Sequence, residues 1–305
     1  MSRICVVGAA NMDLISYVAR LPKMGETLHG SKFHMGFGGK GANQAIMAAK
    51  LGAQVSMVTK LGRDIFGENT YDNFRSYNID CTHVLFTDKA FSGVAPIAVD
   101  AEGNNSIIIV TGANDLLSPE EIEAARPAIA GTQILVCQLE IPLDTTIAAL
   151  RIARQEKVKT IFNPAPGRAR LPGELFALSD ILCPNESESE LITGLPTDSI
   201  DEAATAARAL LAKGAGSVIL TLGERGSLLV TKQQTQHIPA KKVKTLDSTG
   251  AGDAFIGSLA YFVAAGKTLP EAVRRANEIA AISVEAPGTQ SSFPNAADLP
   301  AFLLE

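Results

Sequence analysis

The sequence predicts an α/β protein: a three-layer, Rossmann-like parallel sheet with helices on both faces, plus a small β-sheet lid. Three observations carry this. Residues 3–8 open the chain with a short apolar strand of the kind buried on both faces. After residue 112 strands and helices alternate strictly, the pattern of parallel strands joined by crossover helices. Two stretches, 11–38 and 90–112, interrupt this with glycines and two-residue alternation, the texture of strands with one wet face. The expected core is therefore 1–10, 39–89 and 113–305. The lid is 11–38 and 90–112, laid over the carboxyl edge of the main sheet.

In order, the lid stretch 11–38 contains alternating runs such as 27–33, read as antiparallel strands. Ala42 to Leu51 is a helix stopped by Gly52. A strand over 55–60 and a helix over 66–77 follow. Residues 93–99 and 106–110 form a hairpin around the turn-rich 100–105. Ser118-Pro119-Glu120-Glu121 is a capping box with proline at the first helical position. Then come strand 133–138, helix 145–157, strands 160–163 and 181–183, helices 188–193 and 201–213, and strand 217–222. A β-like run, 242–246, precedes an apolar helix over 254–265.

The composition narrows the function. A chain of 305 residues, 46% hydrophobic and 19% charged, with a net charge of −5, has no general attraction to nucleic acid or anionic membranes. Cys5, Cys81, Cys137 and Cys183 are scattered, in neither disulfide nor zinc spacing, which fits a reducing compartment. The chain opens on a strand rather than a signal peptide, and its longest apolar run is too short to span a bilayer. The expectation is a cytoplasmic protein without membrane or nucleic-acid partners.

The chemistry gathers at Asp247-Ser248-Thr249-Gly250-Ala251-Gly252-Asp253. Small residues at 250–252 let a backbone approach a ligand, and a helix starting there aims unpaired N–H groups at an anion. Asp253 reads equally as a helix cap or as a base. Gly36-Phe37-Gly38-Gly39-Lys40-Gly41 fits a dinucleotide fingerprint, but it follows the lid strands and no acidic residue lies between Gly41 and Asp64. It is a plain turn or a polar-ligand pocket with Lys40 and Asn43. Asn11 and Asp13, two apart in an extended segment, point the same way, as an Asx-turn or a polyol site. Glu140 ends a strand at the same edge. Glu188 is a helix-dipole partner or a holder of water around Mg²⁺. Thr221-Leu222-Gly223-Glu224-Arg225-Gly226 is a glycine loop at a strand end, suited to a nucleotide.

Taken together, the segment 38–44 and the segment 247–253 resemble the two signatures of the ribokinase-like sugar kinases. Asn185-x-x-Glu188 resembles that family's metal-associated motif, and Gly288-Thr289-Gln290-Ser291-Ser292 its tail loop. The resemblance runs nearly end to end. It implies ATP-dependent phosphorylation of D-ribose at O5, with Asp253 as base and Gly250, Ala251 and Gly252 as anion hole. It implies that Asn11, Asp13, Gly39, Lys40, Asn43, Glu140 and Asp253 hold the sugar. Asn185, Thr221 to Gly226, Gly252 and Asn277 would line the ATP site, with Mg²⁺ near Glu188. A monovalent cation, K⁺, is implied at Asp247, Thr249, Ser283, Ala286, Gly288 and Ser292. Pairing of lid edges in a homodimer is a further expectation. The alternatives are a 2-deoxyribose or nucleoside kinase of the same family, and a non-catalytic sugar or nucleotide sensor.

Overall fold

The computed structural model describes residues 2–304; positions 1 and 305, the outer limits of the expected core, lie outside the described residues. The first half runs β1 (Arg3–Val7), β2 (Asn11–Tyr17), β3 (Lys32–Gly38), α1 (Lys40–Lys50), β4 (Gln54–Gly62), α2 (Ile65–Ser76), β5 (Asp80–Thr87), β6 (Gly93–Val99), β7 (Asn105–Ile107), α3 (Pro119–Ala124) and α4 (Arg126–Ala130). The second half runs β8 (Ile134–Cys137), α5 (Leu143–Gln155), β9 (Lys159–Phe162), α6 (Gly173–Ala177), β10 (Ile181–Leu182), α7 (Glu186–Thr193), α8 (Ile200–Ala212), β11 (Ser217–Thr221), β12 (Ser227–Val230), β13 (Thr235–Ile238), α9 (Ala251–Ala264), α10 (Leu269–Ser283) and α11 (Ala301–Leu304).

The main sheet has nine strands in the order β13-β12-β11-β10-β9-β8-β1-β4-β5. β1 pairs in parallel with β4 on one side and β8 on the other. The chain therefore reverses its winding between β1 and β8, and a crevice opens at their carboxyl ends, where such sheets bind ligands. Successive β1 side chains serve opposite layers, as the two-residue period of a strand requires. Ile4 and Val6 pack with α1 and α9 residues such as Ile46 and Phe262. Cys5 and Val7 join Leu150 and Leu210 on the other face. α3 starts at the expected capping box, Ser118 accepting from Glu121 N–H and Glu121 returning to Ser118 N–H.

The second sheet is β3-β2-β6-β7. β2 pairs with β3 antiparallel but with β6 in parallel, so this sheet is mixed rather than antiparallel throughout. The run 27–33 is not the strand it was expected to be: the pairing segment starts at Lys32, and the alternation before it finds no partner strand among the described residues. The hairpin 93–110 forms, with its second arm shortened to Asn105–Ile107 plus a bridge from Val94 to Val110. The run 242–246 is also not a strand; Leu246 N–H and Asp247 N–H both donate to Val284 O, which ties this segment to the end of α10 instead. The edge of the main sheet departs from strict alternation too, since β12 and β13 are antiparallel additions.

Candidate active site

α9 begins where β1, β8 and α1 converge. Its N-cap is Gly250, in the left-handed region at φ 78°, where a side chain would also meet Thr289 at 2.6 Å. No side chain caps the helix. The N–H groups of a first turn have no intrahelical acceptor. Ala251 N–H is turned onto Ser248 O at 3.2 Å, while Gly252 and Asp253, next in the first turn, line the cleft. Gly252 has open space where a side chain would be.

Asp253 is 7% exposed and does not cap its own helix. Its Oδ2 accepts from Asn43 Nδ2 and its Oδ1 from Gln44 Nε2, both at 2.8 Å. The helix-cap alternative is thereby displaced: α1, not α9, holds this carboxylate. Each oxygen keeps a lone pair. Gln44 is itself fixed, accepting from Gln138 Nε2 at 2.6 Å and donating to Asn163 at 3.3 Å.

α1 reaches Asp253 because Gly39 turns sharply before it. Gly39 has φ 85°, and a side chain there would sit 2.7 Å from Ala10 Cα. The glycine run is thus the end of β3 and a tight turn onto a helix start. Lys40 N–H donates to Glu140 Oε2 at 2.8 Å, joining α1 to the end of β8. The Lys40 ammonium is largely buried, and Asp253 foremost, then Glu140 and Glu188, hold its pKa above the ordinary value against the pull of burial. Glu140 is pushed up by burial, which outweighs Lys40. Asp13 on β2 is pushed up to about 7 by burial and then by Glu140 and Asp253. Asn11 Oδ1 accepts from Asn114 Nδ2 at 2.9 Å. Asn114 also bonds Ala10 N–H, Ala10 O and Thr111 O, tying the crossing before β2 to the return of the chain after Val110.

A cleft lies beside Asp253, lined by Lys40, Asn163, Asn185, Glu188, Thr221 and Gly252 among others. Asn185 and Glu188 face it while closing a capping box on α7: Asn185 Oδ1 accepts from Glu188 N–H at 2.8 Å, and Glu188 Oε2 from Asn185 N–H at 2.9 Å. Glu188 is both the dipole partner and a cleft residue, and burial raises its pKa. Thr221 reaches the cleft from the end of β11, whereas Leu222 is core. Gly223–Arg225 is a single 3-10 turn ending at Gly226. The Arg225 guanidinium is engaged by Glu186 and the carbonyls of Thr197 and Asp198, so its side chain is turned onto the α7–α8 connection. Asn277 is spent between Ser227 Oγ at 2.6 Å and Ile238 O at 3.0 Å, a tie from α10 to β12 and β13.

At the foot of α9, Asp247 accepts from Thr249 N–H at 2.9 Å and Gly288 N–H at 2.8 Å, linking the two loops. Burial pushes its carboxyl up, but hydrogen bonding from the Thr249 side chain, then from the Gly288 and Thr249 N–H groups, outweighs it and leaves the pKa low. The hydroxyls of Ser283 and Ser292 donate to Ala280 O and Thr289 O, both at 2.8 Å.

Sequence reasoning missed Gln44, Gln138, Asn163 and Asn114. Gln44 and Asn163 had a readable signal: an amide inside an apolar helix, and a polar residue ending a strand at the ligand edge. Asn114 had none, since Ala10 and Asn11, the partners that give it its place, lie more than a hundred residues earlier.

Residues 1–296 match the model of the pfkB family of carbohydrate kinases. The chain is 44% identical over 301 residues to a ribokinase of Mus musculus, covering 97% of this chain and 93% of the relative. It is also 44% identical over 292 residues to a deoxyribokinase of Salmonella typhimurium, covering 96% and 95%. Among solved structures, Arabidopsis thaliana ribokinase complexed with ribose and ATP superposes with a TM-score of 0.91 at 30% identity, over 100% of this chain and 99% of that one. Ribokinase of Thermotoga maritima gives 0.89 at 37% identity over 100% of both chains. With Asp253 set between a helix start and a polar crevice, the chain belongs to the pfkB family of carbohydrate kinases.

Proposed function

We propose that the protein transfers the γ-phosphoryl group of ATP to the 5-hydroxyl of D-ribose. The observation that supports this most is the placing of Asp253, a buried carboxylate held by two amides rather than by its own helix. Its free lone pairs can take the proton of an attacking hydroxyl. The sugar would lie among Asn11, Asp13, Gly39, Lys40, Asn43 and Glu140. Asn43 retains one N–H for it beyond the one given to Asp253. The anion hole expected at 250–252 would receive the charge that develops on the transferring group through Gly250 and Gly252, which line the cleft, while Ala251 N–H is held by Ser248 O. In this reading Asn185, Thr221 to Gly226 and Asn277 border the nucleotide, Leu222 and Arg225 through backbone only, and Asn277 by holding β12 and β13.

Mg²⁺ comes with ATP in such kinases. The residues fit it: Glu188 lines the cleft, buried, with no ion pair among the described residues. Bound there, the ion would offset charge on the phosphates. K⁺ is proposed at Asp247, Thr249, Ser283, Ala286, Gly288 and Ser292. The oxygen-rich, anionic link from Asp247 to the 288 loop suits a hard cation, which would brace the foot of α9. The segments 11–38 and 90–112 are proposed as a lid that excludes water. Their exposed Phe33, Met35, Ile107, Ile108, Ile109 and Val110 form a face for a second copy of this chain.

2-Deoxyribose is a second reading, favoured by the equal 44% identity to a deoxyribokinase. ATP consumption measured with each pentose, with and without K⁺, tests both. Ribose turnover stimulated by K⁺, with a higher kcat/KM for ribose than for 2-deoxyribose, is expected. No turnover with any pentose would overturn the reading in favour of a non-catalytic sensor.

A further inference from the structure

Asp253 is gripped by amides that are themselves gripped, and one line of grips leads out of the site. Asn73 Nδ2, on α2, donates to Gln290 Oε1 at 2.9 Å. Gln290 Nε2 donates to Asn43 Oδ1 at 3.0 Å. Asn43 Nδ2 then donates to Asp253 Oδ2 at 2.8 Å. Gln290 is 6% and Asn43 5% exposed, so water does not stand in readily for either.

An amide has one donor end and one acceptor end. A run of such bonds is therefore directional. Asp253 when ionised only accepts, so Asn43 must turn its nitrogen to it. That leaves Asn43 Oδ1 pointing away, where it needs a donor. Gln290 can give one only with its own oxygen turned to Asn73. Each member fixes the rotation of the next.

The same loop is fastened to α1 a second time. Lys50, seven residues after Asn43 and so on the same helix face, donates through Nζ to Gln290 O at 2.8 Å and Phe293 O at 2.7 Å. The 290–293 segment is thus clamped at both ends of one face of α1.

We propose that Gln290 is a positioning residue for phosphoryl transfer, acting through Asn43 to hold the Asp253 carboxylate toward the sugar hydroxyl. The inference rests on the reading of Asp253 as the base. Its signature is a kcat effect that depends on Asp253. Gln290→Glu keeps the shape but sets an acceptor against Asn43 Oδ1. Gln290→Met keeps much of the volume and removes both polar ends.

The test is a double-mutant cycle. kcat and KM are measured for the parent, Gln290→Glu, Gln290→Met, Asp253→Asn and both doubles, with rates counted per ATP-binding site by calorimetry so that unfolded protein does not enter. Each Gln290 variant is expected to lower kcat about five- to tenfold, the worth of one hydrogen bond of ordinary strength. KM for ATP is expected to stay unchanged. In the Asp253→Asn background the same substitutions are expected to cost less than about twofold, because the group they position has already gone. An unchanged kcat per site, or equal losses in both backgrounds, would overturn the role of Gln290 while leaving Asp253 as base. Full turnover by Asp253→Asn would overturn the base and this inference together.

Discussion

Asp253 shows what a residue's sequence position can and cannot tell. An Asp in the first turn of a helix is commonly a cap, and nothing local separates that from a base. The distinction lies in Asn43 and Gln44, more than two hundred residues earlier, which bring two amides to 2.8 Å from its oxygens. Asn11, Lys40 and Glu140 stood out as candidates in the sequence because a strand end or helix start gave them an address. Asn277, which the family resemblance implies at the nucleotide, and Arg225, in the glycine loop, have polar side chains engaged by structural partners. Asp13 gives a prediction at this scale. Its folded pKa is raised to about 7, while the unfolded chain titrates near the ordinary value of about 4. Between those values the folded state binds more protons, so stability contributed by protonated Asp13 is lost as pH rises through the window and is level above it. The melting-temperature gain of Asp13→Asn over the parent should therefore grow from about pH 4 to 7 and then stop, as read by scanning calorimetry. A gain independent of pH would contradict this.

Among elements, those with strong periodicity or caps were legible. β1, α1 and the capping box of α3 form where expected. β12 and β13 were not anticipated, because an antiparallel hairpin on a parallel sheet is a tertiary addition that four-residue strands do not announce. The run 242–246 has strand-like alternation but no partner strand among the described residues, and its end is recruited by Val284. Alternation alone makes no strand without a partner. The second sheet ends in β3 and β7 as edges, and exposed edges with apolar residues invite pairing. Small-angle scattering reads both expectations for it. The particle should have twice the mass of the chain, and its radius of gyration should fall when sugar is added. A particle of single-chain mass would contradict the dimer, and an unchanged radius the lid.

At the scale of the whole molecule, the layers were legible and the strand order was not. Strict alternation after residue 112 dictates a covered parallel sheet, but it does not say that β1 will lie between β4 and β8. That order creates the crevice, and it brings Lys40, Glu140 and Asp253 together from distant segments. It also sets Lys40, partly buried, among the carboxylates of Asp253, Glu140 and Glu188, a balance suited to receiving a polyol on one side and a phosphate on the other. The central claim is that the carboxylate at this junction takes the proton of the acceptor hydroxyl. Asp253→Asn tests it most directly, with sugar phosphate formation followed in a single turnover and ribose binding measured alongside. The expected result is a fall in rate of about a hundredfold or more, the scale of general-base catalysis, with ribose still bound. Undiminished phosphoryl transfer by Asp253→Asn would contradict the account.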